Sequence, residues 1–506
     1  MGRRAVIACA CAPALVVALA LRSGGLVNLV QLLGAAVGLT FIAWLASRPA
    51  GAVRALVWIL PVQLVLSSLV FQVYRDGPTL RMAGLWKDAA VVAIGLAVAA
   101  IVRREQRDLD VLDRLCLAFT ALSGLYLMAP GAILGPLGGS VSVDARFTVW
   151  RTVALPVLLV FLGRHLRLDV DVVRRVSRTL MFWGALFGGL AVVELIASSW
   201  WNTFMVDVVG VNRFRLLGQE LGSSAFTLGL DEVRVVSATG LLRVGGFLIS
   251  PIELSFFLLV CFAFLVERVV RGGTPLGVRV GLLLAGLGIV LTQTRSSILG
   301  ALVIAVVGAR PSLGRDSSAA RGRLAAAVVA VCVLAVPLLG VTGYIERFLG
   351  RDATSDVAHQ TSNDIALEAI GDHPFGQGLG LGLRGHHLGV PGAIVPENHF
   401  YDVALQVGIV GAVLFAAVLV ALIRRLGRAA AAVDGDLQLG AAAARSALAG
   451  MLVPMWFLQP WNEPQVGWVL PLVAGVALGA VERHVAERNG SHRGQGAAFV
   501  PFASGD

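Results

Sequence analysis

The sequence predicts an all-α polytopic membrane protein of about 12–14 spanning helices with a large external loop, and three observations predict it. Hydrophobic residues fill 57% of the 506 positions and charged residues only 14%, against roughly 45–50% and about 25% in a soluble domain. Mean hydropathy is +0.81. The apolar residues gather into runs of about 20, the length that crosses a hydrocarbon core as helix. A net charge of +10 would suit nucleic acid. The basic residues instead sit in short blocks between apolar runs, as topology signals do, so the expected partner is the lipid bilayer and not nucleic acid.

The runs lie near residues 5–21, 26–45, 54–73, 86–102, 113–129, 149–163, 179–197, 247–266, 280–294, 296–309, 324–340, 399–423, 446–459 and 466–481. The first reads as an uncleaved helix, because Val-Ile-Ala-Cys9 lacks the apolar stretch that precedes a cleavage site. The five cysteines all fall in apolar segments without paired spacing, which indicates neither a disulfide framework nor a thiolate metal site. No internal repeat is visible. The chain divides into N-terminal spans (1–197), an external loop (198–246), further spans (247–340), a large external loop (341–398), C-terminal spans (399–481) and a polar tail (482–506).

Orientation follows from the basic residues. With both termini cytoplasmic, the cytoplasmic connections hold 27 of the 41 Lys and Arg residues, and every one of them is basic, as the positive-inside rule requires of a multi-pass protein of the cytoplasmic membrane. The two long loops then lie outside. In the second, Asp364 and Glu368 flank Ile365, Leu367 and Ile370, predicting a short amphipathic helix capped by Thr361 or Ser362 and stopped by Gly371 and Pro374. The run Gly376-Gln-Gly378-Leu-Gly380-Leu-Gly382, with no strand before it and no helix expected after it, reads as a tight, mobile turn and not as a dinucleotide fingerprint.

Three sites share one feature: each begins an outside-to-inside helix. At the first, Arg243-Val-Gly-Gly246 precedes Ser250-Pro251-Ile-Glu253, a capping-box pattern. At the second, Leu291-Thr-Gln-Thr294-Arg295, only 30 residues separate Arg279 from Arg310. Each of the two helices there rises roughly 22 Å against a hydrocarbon core near 30 Å. Arg295 should therefore sit below the outer surface, where an arginine is retained for a partner or a pathway. The third is Glu397-Asn398-His399, leading into a helix that contains Gly408 and Gly411. Helix N-termini favour anions, and the arginine fork matches phosphate oxygens. Two arginines beside a carboxylate and an imidazole suit a lipid-linked diphosphate and an acceptor hydroxyl. Bland readings compete: Glu253 capping its helix, Arg243 snorkelling to the interface, Glu397 and His399 at a solvated loop edge.

Residues 240–255 (Arg-x-x-Gly-Phe, then Pro-x-x-Leu), 291–299 (Leu-Thr-x-x-Arg-Ser), 369–382 (His-Pro-Phe-Gly-x-Gly-x-Gly) and 397–411 together resemble the O-antigen ligase/polymerase family. The resemblance covers roughly 235–425. It implies a glycosyltransferase that polymerises or ligates undecaprenyl-diphosphate-linked glycans at the outer face of the membrane, within a polysaccharide export pathway and with its partner proteins. It also implies diphosphate binding by Arg243 and Arg295. Counting back from Gly408, Glu397 occupies the position where ligases of the family carry His, and His399 follows two residues later. That departure fits the polymerase branch and names Glu397 as the base, with His399 as its competitor. A second departure is Ile252, where the family keeps Asn after the proline. No cofactor is expected. A metal held by His359, His373, His386, His387 and His399 with Asp372 and Glu397 finds no ligand spacing beyond adjacent His386 and His387. A lipid-linked oligosaccharide flippase is the alternative function; it would place charges along a mid-membrane pathway, whereas here the notable charges cluster at one face, with Glu194, and Glu253 by depth, inside a span.

Cysteines introduced at Ser355 and Arg315 of a cysteine-free chain should be modified from opposite sides of the membrane. Modification of both from outside would overturn this topology.

Overall fold

The computed structural model describes residues 40, 42–73, 85–105, 109–129, 141–212, 242–272, 274–309 and 353–493. Every apolar run that falls among them is helical, since backbone polar groups in hydrocarbon must pair within their own segment. In chain order the helices are α1 (Pro49–Ile59), α2 (Gln63–Val73), α3 (Trp86–Glu105), α4 (Val111–Met128), α5 (Val143–Val153), α6 (Leu155–His165), α7 (Val170–Ile196) and α8 (Ser198–Thr203). They continue with α9 (Pro251–Val270), α10 (Leu276–Leu291), α11 (Arg295–Ala309), α12 (Ala353–Asp372), α13 (Leu383–His387), α14 (His399–Ala432), α15 (Gly435–Phe457), α16 (Pro464–Gly467) and α17 (Val469–Arg493).

Six spans among the described residues are long and apolar enough to cross a membrane: Pro49–Val70, Val111–Met128, Val170–Ile196, His399–Ala432, Gly435–Phe457 and Pro464–Asn489. A seventh forms if α5 and α6, bent by 52° at Ala154, are one span. The sequence spacing expects one straight span near 149–163; Pro156 in the first turn of α6 removes a backbone donor and accounts for the bend. α3 and α9 are each 20 residues long but carry charges at their ends. α10 and α11 are the short apolar pair that the spacing of Arg279 and Arg310 predicts. The runs expected at 5–21 and 324–340, and most of 26–45, lie outside the described residues, as does 482–506 beyond Arg493.

Lipid gives helices no hydrophobic reason to associate, so close packing at small residues holds the bundle. Three crossings bring backbones together. A Cβ on Gly188 of α7 would strike the Leu284 carbonyl of α10, one on Gly300 of α11 would lie 2.8 Å from the Gly450 carbonyl of α15, and one on Gly475 of α17 would strike Val160 of α6. At the end of the bundle predicted to be cytoplasmic, charge closes the structure. Arg164 of α6 donates to Glu482 of α17 at 2.7 and 2.9 Å, to Asp113 of α4 at 2.9 Å and to Asp110. Asp113 also meets His165 at 3.0 Å, and Arg425 of α14 donates to Asp110 at 2.5 Å. The Arg164 side chain is 7% exposed, and its charge is met on three sides.

The helix expected around 361–370 begins at least as early as Ala353 and ends at Asp372, so Thr361 and Ser362 are interior positions and not caps. Its buried face is Ala366 and Ile370 against Ala404 and Leu405 of α14, while Ile365 and Leu367 are exposed. The glycine run is not an isolated turn either, because α13 follows it directly. Gly376, Gly378 and Gly380 all have positive φ, and the run is pinned to a break in α14. Val407 and Gly408 leave helical geometry there, and Gln377 N–H and Pro374 C=O bond to Leu405 C=O (2.7 Å) and Ile409 N–H (2.9 Å) across the gap.

Arg164→Met should destabilise the protein by about 3 kcal/mol or more, because it strands the buried Asp113 carboxylate and removes the shared partner of Asp110 and Glu482. Arg174→Met, at a 39% exposed ion pair, should cost far less, because solvent screens it. Thermal unfolding in detergent compares the two; equal losses would show that the Arg164 network does not tie the helices.

Candidate functional site

The site is built from helix starts. Ahead of α9, Gly246 (φ +55°) and Ile249 (φ +66°) fold 243–250 into a tight turn held from inside the bundle. Glu194, near the end of α7 and fully buried, accepts the N–H groups of Gly245 (3.1 Å) and Gly246 (2.6 Å). A Cβ on Gly245 would collide with Ile249, so the turn closes only with glycine there. So held, Arg243 reaches the α10–α11 connection, donating from Nε to Thr292 C=O at 3.0 Å and from an Nη to Thr294 Oγ at 3.2 Å. Val244 N–H meets Leu291 C=O at 3.4 Å. Arg295, the first residue of α11, is exposed beside that connection.

Ser250 caps α9, accepting Glu253 N–H at 3.3 Å. The reciprocal half of the expected capping box is replaced: Ser250 N–H bonds locally to Leu248 C=O (2.7 Å), and the Glu253 carboxylate accepts Gln465 Nε2–H from across the bundle at 2.7 Å. One turn into α9, Ser255 and Ser297 of α11 share a hydroxyl hydrogen bond of 2.7 Å.

At the third site Asn398 is the cap the sequence indicates. Its Oδ1 accepts Phe400 and Tyr401 N–H (2.8 and 3.2 Å), and its Nδ2 donates to Trp456 C=O at the end of α15 (3.0 Å). Glu397 and His399 point different ways. The Glu397 carboxylate faces α12, 3.3 Å from His359 Nδ1 and 21% exposed, and its N–H donates to Asn363 at 3.0 Å. His399 is 1% exposed, 5.3 Å from the Phe415 ring and 6.5 Å from Trp461. Its Nδ1 finds no hydrogen-bond partner among the described residues. A solvated loop edge describes neither residue.

The first and third predicted sites both meet a segment that hydropathy does not single out. Between α15 and α17, residues 458–468 present Gln465 to Glu253 and Trp461 to His399, and bury Gln459, Trp461 and Asn462 with polar atoms lacking partners among the described residues. Buried polar atoms are rarely left so unless something else satisfies them. The signal was Gln459-Pro-Trp-Asn-Glu-Pro-Gln465, a polar, proline-broken stretch between two apolar runs. Asp402 was also missed. Fully buried, it accepts Leu383 N–H (2.8 Å) and Gln406 Nε2–H (3.1 Å), while Gln406 accepts Gly380 N–H (3.3 Å), which ties α13 to α14. Burial, with Arg384 and His386 nearby, lowers His387 to about 4, so it is neutral at neutral pH. No three of the predicted metal-ligand residues come together among the described residues.

The fold and this cluster define a class: a multi-pass, all-α membrane protein whose candidate site lies at one end of the bundle, around the starts of three helices. Residues 280–416 match the family described as O-antigen ligase. Arg295, Glu397 and His399 fall within the matched segment, and Arg243 precedes it. No curated protein matches the chain.

Glu194→Ala should lower both stability and activity, because two buried N–H groups lose their acceptor at about 1–3 kcal/mol each. Glu194→Gln keeps an acceptor oxygen and should retain most of both. Thermal unfolding and product assays on the two variants test this; equal behaviour would show that the carboxylate does not hold the turn.

Proposed function

We propose that the protein polymerises polyprenyl-diphosphate-linked oligosaccharide units, transferring the glycan from its lipid carrier to a second glycan at the outer face of the cytoplasmic membrane. The observation that carries this reading is that the 458–468 segment meets the start of α9 through Glu253 and the start of α14 through His399, while Arg243 holds the connection that leads to Arg295, in a chain whose residues 280–416 match the O-antigen ligase family. The acceptor hydroxyl oxygen attacks the anomeric carbon as the bond from that carbon to the diphosphate oxygen breaks. The hydroxyl proton passes to a base, and the lipid diphosphate leaves with the bonding pair. Arginine forks suit the growing charge on the diphosphate. Glu397 is the base in this scheme, since it is partly exposed and carries a His359 partner; His399 is its buried competitor. Polymerisation fits the carboxylate at 397 better than ligation does.

Arg243 also holds the 291–295 connection, so its loss disturbs more than binding. Arg295→Lys should lose most activity, because a point charge does not replace a bidentate fork. Near-normal polymer from both Arg243→Ala and Arg295→Ala would remove the diphosphate assignment. For the base, Glu397→Gln should abolish polymer at normal membrane abundance. Retained activity there with loss in His399→Ala would move the role to His399, and activity in both would refute the mechanism.

A further inference from the structure

A second charged cluster lies at the same end of the bundle and shares no side chain with the Arg243–Arg295 group. Lys87 and Asp88 open α3, Arg151 ends α5, and Arg384 lies on α13. Lys87 Nζ and Arg151 Cζ each sit 5.6 Å from the centre of the Trp468 ring, and Asp88 pairs with Arg151 at 2.7 Å. Arg384 stands within electrostatic reach of Lys87, Arg151 and Glu463. Three cations therefore meet two carboxylates. Desolvation raises the Glu463 carboxyl against the pull of Arg384, which weakens even that compensation. The buried Nε atoms of Arg151 and Arg384 have no hydrogen-bond partner among the described residues.

The opposite end of the bundle shows what a structural network looks like in this protein. Arg164 there engages Asp110, Asp113 and Glu482 through all three nitrogens. The Lys87–Arg151–Arg384 cluster is short of negative charge, and it is open: the Arg151 and Asp88 side chains are 21% and 25% exposed. Excess guanidinium donors beside an aromatic ring suit a sugar bearing an oxyanion. α13 is held in place by Asp402 and Gln406, so Arg384 is preorganised.

We propose that Lys87, Arg151 and Arg384 form a subsite for an acidic group, carboxylate or phosphate, carried by the glycan itself and distinct from the lipid diphosphate. The inference rests on the reading that the diphosphate lies at Arg243 and Arg295. The glycan's acidic group enters the shortfall of negative charge, its oxygens taking the unmatched guanidinium donors, while the sugar lies near Trp468. The subsite selects charged repeat units over neutral ones.

Lys87 is the only lysine in the chain, so reductive 13C-methylation of the full-length protein in lipid nanodiscs gives one lysine side-chain NMR signal inside the cluster. Glucuronate and glucose 6-phosphate should each shift that signal saturably, and glucose should not; the two acids separate carboxylate from phosphate recognition. Arg384→Gln should weaken acid binding at least about tenfold and leave binding of sugar-free undecaprenyl diphosphate within about twofold. Arg295→Gln should do the reverse, and Arg384→Lys, which keeps charge and volume, should fall between. The subsite is refuted if both acids bind no better than glucose. It is also refuted if Arg384→Gln and Arg384→Lys weaken undecaprenyl diphosphate as much as they weaken the acids. Acid binding lost in Arg384→Gln, with undecaprenyl diphosphate binding untouched in Arg295→Gln, would overturn the diphosphate assignment and leave the acidic subsite standing.

Discussion

A buried carboxylate organises this protein's polar end. Glu194 lies at 0% exposure inside the helix bundle, and its Oε2 accepts two consecutive backbone N–H groups from Gly245 and Gly246. A buried carboxyl group is tolerable only when hydrogen-bonded, and a backbone turn of two glycines supplies two of its bonds. The consequences run outward. The turn aims Arg243 at Thr292 and Thr294, which sets the connection ahead of α11 and hence Arg295. Ser250 starts α9 from the same turn, and α9 delivers Glu253 to Gln465.

The two ends of the bundle use charge in opposite ways. Around Arg164, donors and carboxylates match, as a network built for stability requires. Around Lys87, Arg151 and Arg384, and along 458–468, donors outnumber acceptors and buried polar atoms stand without partners among the described residues. Between the ends, the helices meet through glycine at Gly188, Gly300 and Gly475, where close backbone approach replaces the hydrophobic drive that lipid removes.

The break in α14 shows how the family segment couples loop to helix. Gly408 has φ +78°, and a Cβ there would lie 2.7 Å from Phe375, so glycine is required on steric and conformational grounds together. The freed backbone groups are taken up by Pro374 and Gln377, and Asp402 and Gln406 fasten the rest of the glycine run. A segment of alternating glycines that would otherwise move freely becomes a rigid mount for Arg384.

What the sequence by itself determined is whatever depends on local composition and spacing. The all-α membrane class, the short α10–α11 pair, the Asn398 and Ser250 caps and the charge-bearing helix starts all follow from hydropathy, from capping chemistry and from the reach of a helix across hydrocarbon. The tertiary structure decided what depends on residues far apart in the chain. It turned Glu253 from its own cap toward Gln465, and it sent Glu397 toward α12 while burying His399 under Phe415 and Trp461. It gave Glu194 and Asp402 their partners, and it gathered Lys87 and Arg151 around Trp468 with Arg384 within electrostatic reach. A carboxylate or guanidinium in a low-dielectric interior is governed by the groups within a few ångströms. In this chain those groups lie tens to hundreds of residues away, where no local pattern records them.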